Sequence, residues 1–280
     1  MEYKQPIIIC GMHRSGTSLI SRLIESHGVF MGHKKQGDNE STFFIDINEA
    51  IFKLVNASWD NPSNFYYTNQ FFDDNIGDII SNKLKSPRVA NYFGYSKYIK
   101  NHNFHKINYA WGWKDPRNTF TLDYWKALFP SAKIIHVYRN PVDVANSMRT
   151  RQQNFMENFD TNEAFRKYCM RINFFGTSYR CLDLNEGFKI WENYISKAFE
   201  TIAGIYHIKY EEVLRNPENL CKELIKFIEI PINIDTLNAE IARIDKSRQF
   251  AFLGDNELED FYLRIKNNNW LKKLGYKNII

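Results

Sequence analysis

Pro6-Ile7-Ile8-Ile9-Cys10-Gly11-Met12-His13-Arg14-Ser15-Gly16-Thr17-Ser18 is the stretch that decides the fold. Ile7–Cys10 is a short, continuous apolar run, the pattern of a strand covered on both faces of a parallel sheet. The next residues have the spacing of a phosphate-binding P-loop, G-x-x-x-x-G-K-[ST], with Thr17 at the lysine position. Residues 18–27 then place Leu19, Leu23 and Ile24 on one stripe of a helix, and Gly28 fits its C-terminal stop. A strand, a tight loop and a helix N-terminus in succession offer backbone N–H groups and a helix dipole to an anion. The ammonium that would reach the β/γ-phosphates of a nucleoside triphosphate is missing, and the loop's own cation is Arg14. The pattern predicts an anionic ligand other than a triphosphate.

The chain has 280 residues and a formal net charge of +5. That charge is too weak and too dispersed for a nucleic-acid surface, and it suits an anionic small molecule. Cys10, Cys169, Cys181 and Cys221 make no C-x-x-C pair and have no histidine at zinc spacing. Reduced thiols and no metal are expected. The N-terminal apolar run is short and lacks a cleavage site, so it does not read as a signal peptide. No stretch approaches the ~18 apolar residues of a membrane span. A cytoplasmic location is the expectation.

Farther along, residues 29–31 fit a short second strand and residues 48–55 a helix. Residues 60–108 are aromatic, polar and weakly periodic, and read as a pocket-building insertion. A strand over 108–114 runs into Asp115-Pro116-Arg117, and a helix over 122–129 closes at Pro130. Lys133–Tyr138 is the clearest strand. It leads into Arg139-Asn140-Pro141, where Asn140 can cap a helix over 142–152 and Pro141 can take its first position. A strand over 205–210 and a helix after Pro217, with Leu220, Leu224, Phe227 and Ile228 on one face, complete the pattern. Strands alternating with helices imply a parallel sheet with helices on both faces, and such sheets bind ligands at the carboxyl ends of their strands. Arg14, Lys114, Arg139 and Tyr210 fall there. One domain over residues 1–280 is expected, with the insertion at about 60–108 and a C-terminal helical segment at about 235–280.

Gly11-Met12-His13-Arg14-Ser15-Gly16-Thr17-Ser18 resembles the 5′-phosphosulfate loop of sulfotransferases that use PAPS (3′-phosphoadenosine 5′-phosphosulfate). Arg139-Asn140-Pro141-Val142-Asp143-Val144-Ala145-Asn146-Ser147-Met148 resembles their 3′-phosphate segment. Trp111-Gly112-Trp113-Lys114-Asp115-Pro116-Arg117 is similar to bacterial members, and Tyr210-Glu211-Glu212-Val213-Leu214 with Asn216-Pro217 to a later strand-to-helix junction. The likeness covers residues 5–32, 109–152 and 205–230 and is faint elsewhere.

The resemblance implies a three-layer, P-loop-NTPase-like α/β fold, PAPS as donor and PAP (adenosine 3′,5′-bisphosphate) as product. It implies donor contacts from His13, Arg14, Ser15, Gly16, Thr17, Ser18, Arg139, Ser147, Arg151 and Tyr210. Lys114 matches the residue that serves the leaving group, and Arg14 the loop arginine. The family's general base lies after the second strand, where this chain offers His33, Asp38, Glu40, Asp46 and Glu49. A Phe-Glu pair of bacterial relatives is absent here: Phe43-Phe44 is followed by Ile45. Glu40 is the first choice of base and Asp46 the second. The expected acceptor is a hydroxyl or amine on a small molecule or glycan. A small-molecule kinase of the same fold is the alternative, though it would want Lys at position 17 and an acidic metal ligand where Arg139 stands. A non-catalytic nucleotide-binding homologue is the other.

Overall fold

The computed structural model describes residues 3–100, 102–176, 178–200 and 204–280. Four short strands among them form one parallel sheet: β1 (Ile7–Cys10), β2 (Gly112–Lys114), β3 (Lys133–Tyr138) and β4 (Ile205–Lys209), in the order β2-β1-β3-β4. The register pairs Ile9 with Lys114, Ile8 with Ile134 and Tyr138 with Lys209. Alternation along β1 sends Ile7 and Ile9 to one face and Ile8 and Cys10 to the other, because successive strand side chains point to opposite sides.

Each face is covered by helices, which makes three layers. On the Ile7/Ile9 face, α1 (Thr17–Ser26) contributes Ile20, Leu23 and Ile24. The opposite face buries the aromatic side of α2 (Thr42–Leu54), where Phe44 stacks on Trp113 of β2 with centroids 3.9 Å apart. Ile76 and Ile80 of α3 (Gln70–Leu84) and Tyr92 and Phe93 of α4 (Ala90–Lys100) join the same core. So do Trp125 of α5 (Asn118–Leu128), Met148 of α6 (Pro141–Thr161) and, past α7 (Glu163–Ile172), Trp191 of α8 (Leu184–Glu200). On the first face, α9 (Tyr210–Arg215), α10 (Pro217–Phe227) and α11 (Ile234–Ala242) add Val213, Leu224 and Leu237. The chain ends with α12 (Asn256–Ile265) and α13 (Asn269–Lys273), back on the aromatic face through Tyr262 and Leu271. This is the expected P-loop-like α/β architecture.

Several boundaries differ from the sequence reading. Residues 29–31 make a single bridge, Phe30 to Trp111, and the strand expected over 108–114 is confined to Gly112–Lys114. α2 begins at Thr42 because Phe43, Phe44, Ile45 and Ile47 are all buried, which hides a helical period inside a dense apolar run. The weakly periodic stretch 60–108 holds two helices, α3 and α4, bent in α4 at Gly94 with φ 71°. α6 runs past residue 152 to Thr161, where Phe155 packs on Phe165 of α7 and on Phe174. No helix among the described residues is long and apolar enough to cross a membrane.

Candidate active site

The loop after β1 is held by close approach rather than by side-chain caps. Gly11 has φ 133°, and a Cβ there would lie 2.2 Å from the Val137 carbonyl oxygen of β3. Gly16 has φ 94°, and a Cβ there would lie 2.2 Å from Cδ2 of Tyr210. Arg14 itself is left-handed, at φ 68°. The Gly11 N–H donates to Thr119 Oγ1 at 3.1 Å. α1 starts at Gly16 with no side-chain cap and no acid in its first turn. Its positive dipole end therefore stays available to an anion.

A second segment closes on this loop from β3. Asn140 caps α6 by accepting from the Asp143 N–H, with Pro141 in the first turn. Arg139, at the strand end, donates through Nη2 to Asp143 Oδ2 at 2.8 Å and to the Arg248 carbonyl at 2.6 Å. Its guanidinium lies 4.9 Å from the centroid of the Tyr210 ring, a cation–π contact. Ser147 lies two turns into α6, and its Oγ accepts from Arg14 Nε at 2.9 Å.

Between these segments lies a cavity of about 330 Å³. Arg14, Arg22, Lys114, Arg139, Arg151, Arg243 and Arg248 line it, against the carboxylates of Asp38, Glu40 and Asp245. Burial lowers the Arg14 pKa; Asp38 opposes this, and Arg151, Arg139 and Arg248 add to it. His13, beside it, is held neutral: burial pushes its pKa well below the ordinary value, helped by the charges of Arg117, Lys114, Arg151 and Arg14. Its ring meets Trp59 edge-on at 4.7 Å. A larger cavity of about 730 Å³ lies between α3, residues 102–105 and α5. It holds none of the loop residues or site cations, so size alone does not locate the chemistry here.

At one edge of the smaller cavity, Lys114 Nζ donates to Glu40 Oε1 at 2.7 Å and to the Asp38 carbonyl at 2.9 Å. The same carbonyl accepts from Ser18 Oγ at 2.9 Å, which ties this edge to α1. Lys114 is 2% exposed and Glu40 5%. Burial raises the Glu40 pKa, as does the Asp115 carboxylate, while Lys114 and Arg117 work against them. Arg117 joins the network by donating to Asp115 and Glu49, each at 2.9 Å.

Of the residues singled out from sequence, His13, Arg14, Gly16, Thr17, Ser18, Glu40, Lys114, Arg139, Ser147, Arg151 and Tyr210 line this one cavity. Asp46 lies on the exposed side of α2, outside the lining. Ser15 is also outside it, with its Oγ buried and without a partner among the described residues. Arg22, Asp38, Arg243, Asp245 and Arg248 line the cavity without having been foreseen as donor contacts. Arg22 had a local signal, four residues from Ser18 on the same helix face. Arg243 and Arg248 had none.

A relative from Aquifex aeolicus (strain VF5), an uncharacterised protein, is 27% identical over 228 residues, which make up 81% of this chain and 26% of the relative. The chain thus spans about a quarter of that relative's length, 26%. Among solved structures, the sulfotransferase domain from the curacin biosynthetic pathway matches with a TM-score of 0.47 at 12% identity, covering 94% of this chain and 98% of that one. A sulfotransferase from Mycobacterium avium matches at 0.44 and 13% identity, covering 94% and 76%. A mouse sulfotransferase complexed with PAP matches at 0.42 and 13% identity, covering 97% and 88%. The sequence model described as "Sulfotransferase family" matches residues 6–234, from the first strand through β4 and into the start of α11. On that match, this chain belongs to the sulfotransferase family.

Proposed function

We propose that the chain transfers a sulfuryl group from PAPS to a hydroxyl or amine acceptor on a small molecule or glycan, releasing PAP. The observation that carries this reading is the Arg14–Ser147 hydrogen bond, 2.9 Å long. It joins the loop after β1 to α6 across one cavity, an arrangement that suits a ligand with two separated anionic groups. The fit is supported by a buried donor at the cavity with no partner among the described residues, Arg139 Nε, and by the uncapped start of α1. PAPS would supply the activated sulfuryl group and a phosphate leaving group.

The chain's own residues then divide the work. The loop N–H groups, Thr17, Ser18 and the α1 N-terminus hold the 5′-phosphosulfate. Arg139, Ser147 and Arg151 hold the 3′-phosphate, and Tyr210 packs against the adenosine. Lys114 and Arg14 place positive charge where the leaving oxygen becomes negative, since transfer of this kind works mainly through positioning and electrostatics. Glu40 accepts the acceptor's proton. Residues 1–280 act on this reading as one sulfotransferase domain, with about 60–108 as an insertion and about 235–280 as a C-terminal helical segment.

A thermal-shift titration tests the reading: PAP, and ATP with and without Mg²⁺, on wild type and Arg139→Ala. The expected result is a shift with PAP, indifferent to Mg²⁺ and weakened at least about tenfold in the variant, as for a lost charge-assisted hydrogen bond. A shift with Mg-ATP alone would replace this reading with the kinase.

A further inference from the structure

One wall of the candidate cavity comes from residues beyond 234, where the family match ends: Arg243, Asp245 and Arg248 line it. Just past this wall, the backbone at 251–252 shares with Arg139 a single buried carboxylate, that of Asp143 in the first turn of α6, 5% exposed. Asp143 Oδ2 accepts from Arg139 Nη2 at 2.8 Å, from Asn140 Nδ2 at 2.7 Å and from the Ala251 N–H at 3.2 Å. Its Oδ1 accepts from the Phe252 N–H at 3.0 Å. The Arg248 carbonyl closes the circuit by accepting from Arg139 Nη2 at 2.6 Å. A second tie runs alongside. Glu211 Oε1 accepts from the Asn140 N–H at 2.9 Å, and Glu211 Oε2 from the Tyr276 hydroxyl at 2.7 Å.

Asp143 is more than a helix-end acid. The cap of α6 is already made by Asn140. Among the described residues, both bonds of the Arg139 guanidinium are made by Nη2 alone, and Nε has no partner. A guanidinium is a planar fork, so holding one nitrogen at two points fixes the plane of the remaining donors. The geometry points to Asp143 as a positioning residue. It sets the Arg139 fork for the 3′-phosphate and anchors the backbone at 251–252, just past the wall residue Arg248. The inference rests on the donor reading above, in which Arg139 takes that phosphate.

The test is calorimetric binding of two probes, PAP and adenosine 5′-monophosphate, which lacks the 3′-phosphate. The proteins are wild type, Asp143→Asn, Arg139→Ala and the double variant. Asp143→Asn is expected to weaken PAP about tenfold, leave the monophosphate within about twofold, and add nothing once Arg139 is Ala, as coupled neighbours do. Equal loss for both probes, no loss, or independent effects in the double variant would overturn the assignment. Should Asp143→Asn fail to fold, Asp143→Glu keeps the charge and displaces it by one methylene. It should show a smaller loss confined to PAP, and a loss shared by the monophosphate, or none, counts against the inference. Wild type that binds the two probes equally would overturn the donor reading itself.

Discussion

Arg14 Nε donates to Ser147 Oγ across 2.9 Å, so a loop that follows the first strand is latched to a helix that follows the third. The latch restrains an arginine that is left-handed, at φ 68°, a backbone region that costs a non-glycine residue about 1–2 kcal/mol. Ser147→Ala removes the acceptor and frees the Arg14 side chain. A hydrogen bond to a charged group contributes about 1.5–3 kcal/mol, so PAP affinity should drop by about tenfold or more. Calorimetry on the folded variant decides it, and unchanged affinity would remove Ser147 from the donor site.

Glu40 carries a pH prediction. Its pKa is raised above the ordinary 4.5, by burial first and then by Asp115. The folded chain therefore holds the Glu40 proton more tightly than the unfolded chain. That contribution to stability is complete below pH 4.5 and is lost as pH rises through the raised pKa. A general base needs the opposite, ionised form. The acid limb of kcat should thus lie above the usual carboxylate range, in the window where the stability contribution fades. Glu40→Gln should abolish the limb and lower kcat by about 10²–10⁴. A pH–rate profile with the limb unmoved in the variant would exclude Glu40 as the base.

Gly16 tests the loop's packing. With φ 94° and a would-be Cβ 2.2 Å from Tyr210 Cδ2, Gly16→Ala meets both backbone strain and a clash with a packed ring. The expected loss is at least about 1–3 kcal/mol of stability, with Tyr210 displaced from the cavity. Urea denaturation reads the first effect and PAP titration the second. A variant as stable and as tight-binding as wild type would show that the loop has a different conformation.

His136 and His207 pair across β3 and β4, Nδ1 to Nδ1 at 2.9 Å. Burial, and then the neighbouring His207, push His136 down to about 3. The unfolded chain takes up this proton near pH 6.5, while the folded chain resists it. Stability is therefore full above pH 6.5 and falls progressively toward pH 3, by up to about 1.4 kcal/mol per pH unit for this group. His207, lowered by burial and by Lys273, acts in the same direction. Urea midpoints between pH 7 and pH 5 should show this slope, flattened in His136→Phe. An equal slope in the variant would place the acid sensitivity elsewhere.

The strand–loop–helix start, β3 with Arg139, and β4 with Tyr210 at its end were legible because each is a short apolar run with local punctuation by glycine, proline or a capping asparagine. The α2 start was not, since burial on several sides of Phe43, Phe44, Ile45 and Ile47 erases the one-faced period that marks a surface helix. The second half of α6 was hidden for the opposite reason. It is polar, and its apolar partners are rings of α7 and residues 174–175.

Local pattern thus determined a strand, a tight glycine loop and a helix on a parallel α/β sheet, and the resemblance of its motifs picked out Arg14, Lys114, Arg139 and Ser147, which the fold gathers around one cavity. Only the tertiary structure decided which acid joins them. Glu40, in the loop before α2, lines the cavity against Lys114, while Asp46, inside α2, faces outward. Only it brought in Arg243, Arg248 and the Asp143 hub, because Asp143 meets Phe252 across 109 positions. Local propensity acts over a few residues, whereas the place of a buried charge is set by whichever distant donors satisfy it.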